Sequence, residues 1–74
     1  MQKSVVKRLV ESYDVNQLAE AEILFLNGEE LPFEIEGKED REVLSHMTAA
    51  MWIIEKMDSH DLPFDAAMEE YIQK

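Results

Sequence analysis

The sequence predicts an all-α fold, a small bundle of four helices at about residues 3–13, 15–27, 39–58 and 64–73, with an extended segment at 30–36. Three observations lead there. Apolar residues recur at spacings of three and four in four separate stretches. Those stretches are separated by residues that start or stop helices: Asp14, Gly28 and the polar run from Asp58 to Pro63. Only one stretch, Leu31 to Ile35, alternates with period two, and one strand cannot make a sheet. At 74 residues the chain is a single domain, 1–74.

In the first helix Val5, Val6, Leu9, Val10 and Tyr13 share a face, with Lys3, Lys7, Arg8 and Glu11 opposite. A helix this short is marginal alone and must dock. Asp14 then supplies an N-cap, with Gln17 placed three residues on to complete a capping box. The second helix begins at Val15 and runs to about Asn27, where Gly28 can take the left-handed conformation that ends it. Its apolar arc reads as Val15, Leu18, Ala19, Ile23, Phe25 and Leu26, which leaves Glu22 in the middle of the arc and Leu24 on the polar side. Two readings of Glu22 follow. Either it reaches the rim of the bundle and pairs with a Lys or Arg, or it meets His46 in a polar pocket that would mark a site.

From Glu29 to Gly37 the register changes: Leu31, Phe33 and Ile35 alternate with Pro32, Glu34 and Glu36. Such a segment is expected to lay its apolar side chains across the helices; its other use would be pairing with its own copy in a second subunit. The third helix is the centre of the bundle. Val43, Met47, Ala50, Ile54 and Met57 form one stripe and His46, Ala49 and Ile53 a second beside it, giving a surface wide enough for neighbours on two sides. Its polar line is narrow and contains Trp52, so the indole is either capped by its own chain or turned toward a second molecule. The last helix opens at Phe64, presents Ala67, Met68, Tyr71 and Ile72 on the same apolar face, and is expected to fray at Lys74.

Seventeen acidic residues face seven basic ones, a formal charge of −10. Phosphate backbones and anionic membranes are bound through clustered Lys and Arg, so neither nucleic acid nor a membrane is an expected partner. The chain has no Cys, which excludes disulfides and thiolate zinc sites. A chain this short buries only about 60 % of its unfolded surface and needs some further stabilisation, so oligomerisation is expected, as a homodimer. With no signal peptide and no membrane-spanning run, the protein is expected to be cytoplasmic.

Catalytic signatures are missing. His46 and His60 are too far apart for a two-histidine metal motif on one helix, and Glu42 with His46 at i and i+4 make only half a site. The favoured reading of His46 is a partly buried ring bonded to a carboxylate or carbonyl. The sequence contains no Gly-rich phosphate loop, nucleophile elbow or Cys nucleophile, so no enzyme activity, cofactor or metal is expected.

The segments LVESYDVNQLAEAE, LPFEIEG, LSHMTAAMWIIEKM and PFDAAMEEY, taken together, resemble a family of short bacterial proteins described only as a domain of unknown function. The resemblance extends over nearly the whole chain and implies a compact helical domain without an established activity. It assigns no role to any residue. The residues themselves lead to a non-enzymatic interaction or accessory module, a homodimer with Trp52, Leu24 and Met51 at the contact and with a basic protein as a further partner. The alternative is a small-molecule or metal-binding regulator using Glu22, Glu42 and His46.

Overall fold

The computed structural model describes residues 1–73, so the fraying expected at Lys74 lies outside the described residues. Four helices follow one another: α1 Lys3–Ser12, α2 Val15–Leu26, α3 Asp40–His60 and α4 Phe64–Gln73. No strand occurs among the described residues, and no helix is long and apolar enough to cross a membrane.

The 21 residues of α3 extend about 31 Å at the rise of an α-helix, nearly the 34 Å longest dimension of the molecule. The other three helices each pack on α3 and touch one another little. The stripes expected on α3 face the core: Val43, Met47 and Ala50, with His46, Ala49 and Ile53 beside them, are buried, while Ile54 and Met57 at the C-terminal end of the first stripe are partly buried against the core. Ala21, Ala49, Ala50 and Ala67 are fully buried; having no side chain beyond Cβ, they let helices approach closely.

Caps fix where the helices start and stop. Asp14 accepts the Gln17 N–H at 2.8 Å while the Gln17 side chain accepts the Asp14 N–H at 3.0 Å, the reciprocal box expected from the sequence. Gly28, at φ 76°, ends α2 with Glu29 N–H on Leu24 O and Gly28 N–H on Phe25 O, a Schellman closure. The end of α3 also closes through a left-handed residue, but without glycine. Asp61 adopts the left-handed conformation and Leu62 N–H reaches back to Met57 O, so the helix continues to His60, two residues beyond the boundary read from the sequence.

The stretch 30–36 is a strap laid over the helices, not a strand. Leu31 and Phe33 are half-buried and Ile35 is buried, while Pro32, Glu34 and Glu36 face out, the alternation the sequence predicts. The Phe33 ring stacks on Tyr13 with centroids 3.8 Å apart and planes 13° apart.

The rotation of α2 differs from the expected one. Leu18 and Ala21 are its buried residues, and Phe25 packs half-buried against the core. Ile23 and Leu26, assigned to the apolar arc, are 59 % and 64 % exposed. Leu24, assigned to the polar side, is half-buried. The cause is local: residues 23–26 read Ile-Leu-Phe-Leu, apolar on every side, so spacing alone cannot choose which side turns inward. Leu18, Ala21 and Phe25, at i, i+3 and i+7, choose it.

Candidate functional site

His46 is the buried polar side chain of the core, with no exposed surface. Both ring nitrogens are engaged by main chain from outside α3. Nδ1 lies 2.8 Å from the Glu36 carbonyl oxygen, and Nε2 accepts the Gln2 N–H at 3.0 Å. A carbonyl only accepts and an amide N–H only donates, so the ring is the neutral tautomer carrying its proton on Nδ1. The imidazole thereby ties the strap and the entry to α1 onto the central helix.

Two carboxylates surround this junction. Glu36 pairs with Arg8, whose guanidinium also donates to Glu34 O at 2.9 Å. The Glu36 carboxyl is held below the usual glutamate range, first by its own main-chain N–H and then by Arg8. Glu42 accepts the Lys38 N–H at 2.8 Å and lies 3.5 Å from the Met1 ammonium. Its carboxyl is also held low, mainly by the Lys38 N–H, with the ammonium adding to the effect.

Of the three residues proposed for a polar pocket, Glu42 and His46 stand one turn apart on α3 and hold the first two residues of the chain. Glu22 is elsewhere: half-buried, it accepts a long 3.4 Å hydrogen bond from Thr48 Oγ1. Among the described residues it is in no ion pair with Lys or Arg, and it does not meet His46. Neither imidazole nitrogen is left for a ligand, and no three His, Asp or Glu side chains among the described residues converge as a metal site requires. His60 is exposed and touches the neighbouring Ser59 hydroxyl at 2.7 Å.

The three residues proposed for an interface are all half-buried. Trp52 is held between α3 and α4: its ring centroid is 5.4 Å from that of Tyr71 at 58°, and Lys56 Nζ lies 5.7 Å over the indole. Lys56 also pairs with Glu70 at 3.3 Å. Met51 packs against the core, and Leu24 sits on the flank of α2. The large apolar helix residues most open to solvent are Ile23 and Leu26 on α2 and Ile72, 59 % exposed, on α4. Sequence reasoning placed all three inside. The signal for the first two is the all-round apolar run at 23–26; Ile72 gives no such signal, since it follows the apolar spacing of its own helix.

Residues 1–74 match the family of unknown function DUF6952. No curated protein and no solved structure matches the chain.

Proposed function

From a chain that belongs to the DUF6952 family, which carries no assigned activity, we propose a non-catalytic, cytoplasmic protein-interaction or accessory module that works as a homodimer. The observation that carries this reading is Trp52. This large aromatic side chain, at the contact of α3 with α4, is only partly buried even though Tyr71 and Lys56 pack on it. Aromatic residues so placed are frequent anchors of protein contacts. Ile72, next to Tyr71 in sequence, adds exposed apolar surface on α4. The charges in this region are mixed, Glu55, Lys56 and Glu70, so a two-fold copy can meet them with opposite signs. Met51 and Leu24, partly buried like Trp52, complete the proposed contact.

Sedimentation equilibrium from micromolar to millimolar protein tests the proposal. A mass rising from 8.6 kDa toward twice that value is expected. Monomer throughout would rule the homodimer out.

A further inference from the structure

We propose that the outer face of α2 is a docking surface for a cationic amphipathic helix on another protein, one with Lys or Arg flanking a short apolar stripe. This rests on the reading of the chain as an interaction module, but not on its pairing with a copy of itself.

The face is defined by Ile23 and Leu26, one turn apart and both well exposed. Leu18 and Ala21 are buried on the other side of the same helix, so α2 has its own seat on the bundle and this second apolar face is additional. A helix that is apolar on more than one side normally has neighbours on more than one side. Here the second neighbour is missing from the chain: α2 makes its main contact with α3.

Charge selects the occupant. Between Arg8 and Lys38 the sequence has no Lys, Arg or His. Glu20 lies one turn before Ile23 and Glu22 one turn before Leu26, and Glu29 and Glu30 follow the helix end. Among the described residues none of these four carboxylates is in an ion pair. Glu29 and Glu30 lie just beyond the C-terminal, negative end of the helix dipole, and the last turn of α2 has no basic residue to offset it. Carboxylates there repel both the dipole and one another, and a cation relieves both. A second copy of this chain brings the same acids to the same face, so two-fold pairing through α2 sets like charges against like. A neutral apolar partner would leave the carboxylates uncompensated. A cationic stripe satisfies both features at once.

The probe is a fluorescent 18-residue helical peptide of Leu and Lys with its leucines on one face. A scrambled peptide of identical composition serves as comparison. Binding is followed by anisotropy and by amide chemical-shift changes, with protein mass measured in the same samples. The expected result is binding of the striped peptide with shifts confined to residues 19–30. Ile23→Ser with Leu26→Ser should weaken it about tenfold or more, as should raised salt. Glu20→Gln, Glu29→Gln and Glu30→Gln together should weaken it and flatten the salt dependence, while Ile72→Ser should leave it unchanged. These positions are exposed or partly so, and circular dichroism verifies that each variant stays helical.

Absence of binding overturns the inference, as does equal binding of the scrambled peptide or equal weakening by Ile72→Ser. If the Ile23/Leu26 variant instead converts a dimer to monomer, the face belongs to a second copy and the inference is again overturned. A protein that is monomeric at every concentration yet binds the striped peptide through α2 would remove the homodimer and leave this inference standing.

Discussion

Gly37 and Val43 are packed so closely that a Cβ on the glycine would stand 2.7 Å from Val43 Cγ2 and 2.9 Å from the Val43 main-chain nitrogen. The strap thus turns into α3 at a point where no side chain fits. Gly37→Ala should therefore destabilise the fold by about 1–3 kcal/mol, the usual cost of overpacking. Gly28→Ala meets no atom within 4 Å and should cost about 1 kcal/mol, through its left-handed backbone alone. Urea unfolding of the two variants checks both values; a Gly37→Ala protein as stable as the parent would contradict the close contact.

His46→Phe roughly keeps the volume of the buried ring but strands the Glu36 carbonyl and the Gln2 N–H. Leaving a buried polar group unpaired costs about 1–3 kcal/mol. A drop of about that size in unfolding free energy is expected, with faster amide exchange in the first turn of α1 and across residues 34–37. Unchanged exchange there would mean that the imidazole does not hold the strap and the entry to α1 in place.

Acid should weaken the protein in a defined direction. Glu36 and Glu42 both have carboxyls held below their ordinary range in the folded chain. A group depressed by folding contributes stability that is fully present above its unfolded-state value and is lost as the pH falls through its folded value. The urea midpoint should thus be insensitive to these two groups near neutrality and fall as the pH drops below the ordinary glutamate range. Glu36→Gln combined with Glu42→Gln should make that fall shallower. An equally steep fall in the double variant would place the acid sensitivity elsewhere.

Asp61 holds a left-handed conformation at φ 53° where glycine would be unstrained. Asp61→Gly should raise stability by about 0.5–1 kcal/mol, since the relief of backbone strain exceeds the added freedom of the unfolded chain. A thermal-unfolding midpoint that falls would show that the aspartate side chain contributes more than its backbone costs.

The bundle was legible because α3 carries two merged stripes, eight residues between Val43 and Met57, and because Asp14, Gln17 and Gly28 are strong local signals that no distant contact overrides. The strap was legible as well, since Leu31, Phe33 and Ile35 alternate cleanly. The rotation of α2 was not: Ile23, Leu24, Phe25 and Leu26 leave no polar side from which to take a phase, and the buried side is chosen by the fit of Leu18 and Ala21 against α3. That error hid the exposed face. A buried His46 bonded to a carbonyl was legible, but which segments it holds was not. Its partners are main-chain groups of Gln2 and Glu36, and a main-chain hydrogen bond from a distant residue leaves no trace in side-chain spacing.

Trp52 is the chain's single tryptophan, so its emission reports one place: the partly buried contact of α3 with α4. Recording that emission together with light-scattering mass across a dilution series tests whether a second chain covers this place. The expected result is a blue shift of the emission maximum that develops in step with the doubling of mass, and loss of both in Ile72→Ser. A maximum that stays fixed while the mass remains that of one chain would contradict the homodimer.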